Sequence, residues 1–295
     1  MKKLILATLF AVSTPVWATT PASGTLTDTS GPVTFTGGPY FVSNPNGISA
    51  GALPESAACV LPTSCDLFAL TVTIADKYRK NEKNKKEIVQ IVLTGSNPVE
   101  QVRGTADIDL YLLDSGGVVI GSSTSPTYDE TINVPLSLLK DGAYTVRIIT
   151  GIPLGSSAAV DIHIGKAKKS GTMSIDPMVA AANETISFDA SSLSATSPAG
   201  GYQYDFGDGQ TFTSDKGLAQ HSYAQDGRYQ ATVKYLDPNG AKSYAAAMQP
   251  VLVDSNVASV GGTVSSKEGS GLALGAFGIP ALLGLFGMAL LRRRT

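Results

Sequence analysis

Acidic side chains are the residues in this sequence best placed to do chemistry. Asp107 and Asp109 alternate with Ile108 and Leu110 in the run DIDLYLLD. On a strand, residues two apart point to the same face, so the two carboxylates would stand side by side. Such a pair offers oxygen ligands for calcium, the two carboxyls of a glycosidase, or simple polar caps at a strand end. Asp114 closes the same run, and Asp66 would join a calcium site if its strand ran alongside. A second acidic group lies in YQYDFGDGQ, where Asp205 and Asp208 stand three residues apart among aromatic rings and glycines. Histidine chemistry has little to draw on. The chain holds 2 histidines, His163 and His221, far apart in sequence. A histidine base also needs a nucleophile and an orienting acid, and no H-E-x-x-H metal motif occurs. The expectation is a protein that is not an enzyme.

These residues must be positioned by a chain of 295 residues, long enough for about two domains. Apolar residues make up 43% and charged ones only 16%. Gly, Ser and Thr abound, and Val and Ile come in short runs, a composition that suits an all-β extracellular protein. Residues 1–18, MKKLILATLFAVSTPVWA, carry two lysines, a short apolar run and small residues around Ala18. This is the pattern of a signal peptide cleaved after Ala18. In an exported chain, Cys59 and Cys65 of CVLPTSC predict a structural disulfide rather than a metal site. The formal charge is −2, but five of the 22 basic residues lie in the two terminal segments. The body between them is therefore acidic, which argues against nucleic acid as a partner.

The other end carries Gly269-Ser270-Gly271, then 20 uncharged residues from Leu272 to Leu291, then Arg292-Arg293-Arg294. A 20-residue helix spans about 30 Å, the thickness of a bilayer's hydrocarbon core. The arginines would stay cytoplasmic and leave the body outside. This order resembles the GlyGly-CTERM and PEP-CTERM sorting tails of Gram-negative bacteria, in which a membrane protease cuts near the short motif. It departs from them in lacking Pro-Glu-Pro, and its Gly261-Gly262 pair lies well upstream. A plain single-pass anchor stays open as the alternative. Residues 254–271 are Gly/Ser-rich and read as a flexible stalk.

Residues 22–165 hold eight β-type runs: PVTFTG, LFALTVTIA, EIVQIVLTG, DIDLYLLDS, GVVIGSS, ETINVPLS, AYTVRIIT and AVDIHIG. Short alternating runs bounded by turn residues predict a β-sandwich of jelly-roll type. Their order resembles the bacterial pre-peptidase C-terminal domain, a non-catalytic sandwich in which some relatives bind calcium. Between two of the runs lies DKYRKNEKNKKE, residues 76–87, with six basic residues. It reads either as a solvated hairpin tip or as a basic finger for anionic glycans or lipid headgroups.

Residues 171–253 change pattern. Tyr204-Asp205-Phe206-Gly207-Asp208-Gly209 is followed by His221-Ser222-Tyr223 and by Gly227-Arg228-Tyr229-Gln230-Ala231-Thr232-Val233. These strings resemble the two hallmarks of the PKD domain, an Ig-like sandwich, with Tyr204 in place of the usual Trp. The resemblance makes Tyr204 and Phe206 core residues, Gly207 and Gly209 turn formers, and His221 and Tyr223 packed groups. It also implies a calcium site in some relatives, which here would fall on Asn183, Glu184 and Asp208.

The whole reading is all-β: a jelly-roll-like sandwich, then an Ig-like PKD sandwich, with a signal peptide before and a transmembrane or sorting tail (272–295) after. Its expected role is a non-enzymatic surface or released protein that binds extracellular polysaccharide or protein. The membrane would be met through residues 272–291, a sorting protease would act on the tail, and calcium is the one cofactor in view. A structural spacer or matrix component is the alternative, with a hydrolase or protease accessory subunit behind it.

Overall fold

Every alternating run expected in the first half becomes a strand. The computed structural model describes residues 19–44, 59, 64–97, 106–125, 129–165, 173–193, 198–236 and 243–258. The segments expected to be a signal peptide, a linker after residue 165, a stalk beyond residue 258 and a C-terminal tail fall outside these residues. In chain order the first nine strands are β1 (Ser23–Thr27), β2 (Val33–Tyr40), β3 (Cys65–Thr73), β4 (Ile88–Ser96), β5 (Asp107–Leu113), β6 (Val119–Ser123), β7 (Glu130–Pro135), β8 (Gly142–Ile152) and β9 (Ser156–Gly165). One sheet runs β2-β9-β4-β7, and the facing layer runs β3-β8-β5-β6. That order is the double Greek key of an eight-stranded jelly roll. β1 was not expected from the sequence; it adds in parallel to β3, pairing Ser23 with Ala69 and Thr27 with Thr73.

Alternation explains the packing. In β3, Phe68, Leu70 and Val72 are buried, while Leu67, Ala69 and Thr71 between them are exposed. Phe68 stacks on Phe35 of the facing sheet at 4.0 Å between centroids. Each such ring taken out of water stabilises the fold by about 1.5–3 kcal/mol. β5 and β7 break the alternation, with residues 108–113 and 130–135 buried on both faces. Something therefore covers their outer faces, and part of that cover is the second sandwich.

The second sandwich comprises β10 (Ser174–Asp176), β11 (Val179–Ala180), β12 (Ile186–Asp189), β13 (Tyr202–Asp205), β14 (Thr211–Ser214), β15 (Leu218–His221), β16 (Gly227–Leu236) and β17 (Ser243–Val253). β10-β12-β15 form one sheet. β17-β16-β13-β14 form the other, with β11 alongside β17. The two sandwiches are not separate beads. Ala247 and Met248 of β17 pair with Ser123 and Ser122 of β6, so a single 10-stranded sheet crosses both. Gln230 Nε2 donates to Ile120 O at 2.8 Å, and Thr124 N donates to Ala246 O at 2.9 Å. Ile88, on the outer face of β4, is buried within the apolar cluster of the second sandwich, with Tyr202 and Tyr235. Both sandwiches fall in one compact unit, residues 1–262. Calorimetry of residues 19–262 is accordingly expected to show one cooperative transition, and two resolved transitions would contradict this coupling.

Two sequence expectations change here. The basic segment 76–87 is not a hairpin tip, because β3 and β4 lie in opposite sheets. It crosses between layers through the short helix α1 (Asp76–Arg79) and a 3-10 turn at Glu82–Asn84. Arg79 is anchored to Asp141 at 2.6 Å and to Leu136 O at 3.0 Å. The expected stalk begins with the short helix α2 (Ser255–Ala258), and Ser255 Oγ donates to Asp226 at 2.8 Å.

Candidate functional site

The segment YQYDFGDGQ ends β13 and turns toward β14. Tyr204 and Phe206 are both buried, with their rings stacked at 6.0 Å. The Tyr204 hydroxyl donates to Gly217 O and accepts from Ala190 N at 3.1 Å. Burial keeps that phenol well above its ordinary range, so it stays a neutral hydrogen-bonding group. Asp205 Oδ1 accepts from Gly207 N at 2.9 Å, and Asp208 Oδ1 accepts from Gln210 N at 3.0 Å. These are Asx-type bonds that shape the turn. Asp208 Oδ2 meets His221 Nε2 at 2.8 Å. His221 stacks on Phe206 at 4.1 Å, and Tyr223 donates to Phe206 O at 2.9 Å. Gly207 has φ 79°. The acids of this motif are spent on the backbone and on His221.

Asn183 and Glu184 form a separate turn. Asn183 adopts φ 65° and its N–H donates to Tyr223 O at 2.7 Å. Glu184 Oε2 accepts from Ala181 N at 2.8 Å. Asn183, Glu184 and Asp208 thus each take part in a local turn. Among the described residues, no three or more of His, Cys, Asp and Glu gather as they would around a metal ion.

Asp107 and Asp109 are brought together. Burial raises Asp107 to about 7. Asp109 is raised well above the usual carboxylate range, by burial first and then by the charge of Asp107. Tyr111 lies 3.5 Å from Asp109 Oδ2. Asp107 Oδ1 is buried without a hydrogen-bond partner. Glu130 of β7, which the sequence did not single out, belongs to the same electrostatic neighbourhood. It accepts from Ser123 Oγ and from Ser125 Oγ, the latter at 2.6 Å. Burial nonetheless lifts it well above its ordinary value, and Asp109 and Asp107 add to the lift. Asp66 does not join them. It shares the inner face of β3 with Phe68 and Leu70, and it accepts from Tyr40 OH at 2.7 Å and Gly38 N at 3.0 Å. Asp114 is also apart, closing its own turn through Gly116 N and Val118 N.

Cys59 and Cys65 form the expected disulfide, with Cα atoms 5.7 Å apart. Two of the open clefts among the described residues bear on function. One, of about 480 Å³, lies in the first sandwich beside Thr27, Tyr78, Asp161 and His163. His163 Nδ1 is 2.5 Å from Asp161 Oδ1. The other, of about 610 Å³, lies on the second sandwich around Phe212 and Leu218. One string escaped the sequence reading. Gly47-Ile48-Ser49-Ala50-Gly51 fits the G-x-S-x-G pattern, which makes a nucleophile only on a strand-to-helix elbow. It falls outside the described residues.

The second sandwich, with three strands facing four and its aromatic Asp-Phe-Gly-Asp-Gly turn, has the build of an Ig-like extracellular module. Residues 172–251 match the PKD domain. PKD domains are extracellular, non-catalytic Ig-like modules that often serve adhesion or binding. Comparison with curated proteins gives no match. Among solved structures, the lipase BlEst2 of Bacillus licheniformis in its propeptide form is 9% identical. The likeness covers 65% of this chain and 40% of that one, with a TM-score of 0.21. A β-1,2-glucanase of Parabacteroides distasonis is 10% identical over 57% of this chain and 28% of that one, with a TM-score of 0.16. These scores are too low to bear on fold or activity.

Proposed function

We propose that this protein is a non-enzymatic binding protein of the bacterial cell surface that contacts extracellular polysaccharide or protein through its β-sandwiches. The observation that carries the reading is the PKD domain at residues 172–251, seated on a jelly roll whose order resembles a pre-peptidase C-terminal domain. In this reading residues 1–18 direct export. Residues 272–291 hold the chain in the membrane until a sorting protease cuts, leaving the body at the surface or released. No helix among the described residues is long and apolar enough to cross a membrane, so the membrane role rests on the tail sequence.

Calcium is the ion of choice for the Asp107–Asp109 pair. Two neighbouring carboxylates, one with an unpartnered buried oxygen, supply the oxygen donors it prefers. A spacer or matrix component is the second reading. It is favoured by the sheet that runs unbroken through both sandwiches, which makes a stiff strut. A pull-down of the exported portion against extracellular polysaccharides and matrix proteins separates the two. Saturable retention on one polymer supports the binder. Absence of retention on all of them, with self-association in solution, overturns it in favour of the spacer.

A further inference from the structure

Phe212 and Leu218 are large apolar side chains left 47% and 53% exposed, and both line the same groove of the PKD domain. The groove lies against the three-stranded sheet, and register fixes what that sheet presents. Ser174, Asp189 and Leu218 stand in one row across β10, β12 and β15. Asp176, Ser187 and Gln220 stand in the next. Neighbouring strands lie about 4.8 Å apart, close to the length of one hexopyranose unit. The carboxylate of Asp189 is held in place by Ser191, whose N–H and Oγ donate to Oδ1 at 2.9 and 2.6 Å.

We infer that this groove binds a neutral polysaccharide chain, an inference that rests on the binding reading above and names its site and ligand class. The chemistry of a sugar ring matches the lining in two ways. Its C–H face is apolar and packs on an exposed ring such as Phe212, taking both surfaces out of water. Its hydroxyls come in vicinal pairs, and the carboxylates of Asp176 and Asp189 accept such donors with charge-assisted strength. The amide of Gln220 and the hydroxyls of Ser174 and Ser187 both donate and accept. Charge selects among glycans. Among the described residues lining the groove there is no Lys, Arg or His, and two carboxylates repel uronate or sulfate polymers. The open groove suits a chain passing through rather than a single enclosed sugar.

The test uses the exported portion with Phe212→Ala, Asp176→Asn and, in the other cleft, His163→Ala, each checked by its melting temperature. Probes are hydroxyethylcellulose and galactomannan as neutral glycans, polygalacturonate as an anionic one, chitosan as a cationic one, and gelatin. The expected result is saturable binding of a neutral glycan, weakened at least about tenfold by Phe212→Ala, reduced by Asp176→Asn and unchanged by His163→Ala. Neutral-glycan binding that survives Phe212→Ala but fails in His163→Ala would move the site to the first sandwich and spare the binding reading. Tighter, salt-sensitive binding of polygalacturonate or chitosan, or binding of gelatin alone, overturns the neutral-glycan assignment. Binding of no probe at all, with self-association, overturns the inference and the reading together.

Discussion

In the presence of a chelator, the melting temperature is expected to fall by at least about 5 °C between pH 5 and pH 8. The cause is the acid group at Asp107, Asp109 and Glu130. In an unfolded chain an aspartate ionises near 3.9. In the folded protein burial holds Asp107 neutral up to about 7 and holds Asp109 and Glu130 neutral beyond the usual carboxylate range. Between those limits the unfolded chain has released protons that the folded chain still carries. Each unit of pH then favours unfolding by up to about 1.4 kcal/mol per group. The stabilisation is complete below about pH 4 and is lost as pH rises through the folded value near 7. Asp141 has the opposite sign. Bonds from Ile74 N–H and Arg79 lower it, so its contribution is present at neutral pH and lost on strong acidification. It is also exposed, and its share is small. Asp107→Asn should flatten the slope and raise the melting temperature at pH 8. Millimolar calcium should restore stability at pH 8 in the wild type and not in Asp107→Asn. A melting temperature that stays level or rises from pH 5 to pH 8 in chelator would sink the account of the acids, and unchanged melting with calcium would remove the ion.

The second large effect lies in the turn after β13. Gly207→Ala is expected to destabilise the protein by about 3 kcal/mol or more. Gly207 has φ 79°, a region costly for a residue with a Cβ. That Cβ would also sit 2.6 Å from Gln230 O and 2.8 Å from Gln230 N. Both obstacles are backbone and cannot swing aside. Gly209, two residues on, is the control. It has φ 88°, but a Cβ there meets nothing within 4 Å. Gly209→Ala should therefore cost only the backbone term, about 1–2 kcal/mol. Denaturant melts of the two variants decide the point, and equal losses would refute the role given to Gln230. The damage at Gly207 should also spread, because the Gln230 side chain reaches Ile120 O of the first sandwich.

Much of the fold was legible because it rests on local pattern. Alternation marked eight strands of the jelly roll, and the Tyr-Asp-Phe-Gly-Asp-Gly string marked the PKD turn. β1 was missed because SGTLT is short, with one buried side chain, and gains its place only by pairing with β3. The acid site was half legible. Asp107 and Asp109 could be paired by their spacing, but Glu130 comes from the opposite sheet, and no periodicity links it to them. Asp66 was left open, although the signal that sets it apart was present. It shares parity with Phe68, Leu70 and Val72, which fixes it on the inner face. The join between the sandwiches left no trace in the sequence, because scattered, non-periodic contacts make it: two residue pairs, the Thr124 N–H, a glutamine amide and the Ile88 side chain.

The position of β17 has a mechanical consequence. Among the described residues it is the last strand, and it is not an edge. β16 pairs along its length from Ser243 to Val253, β11 flanks its final residues, and β6 holds Ala247 and Met248 from the other side. Tension drawn through the C-terminus would pull this strand lengthwise. Its ladder bonds would then bear the load together in shear rather than opening one by one as at an unzipped edge. Forced unfolding is governed by the unfolding rate rather than the equilibrium stability. A strand seated in this way is expected to slow that rate.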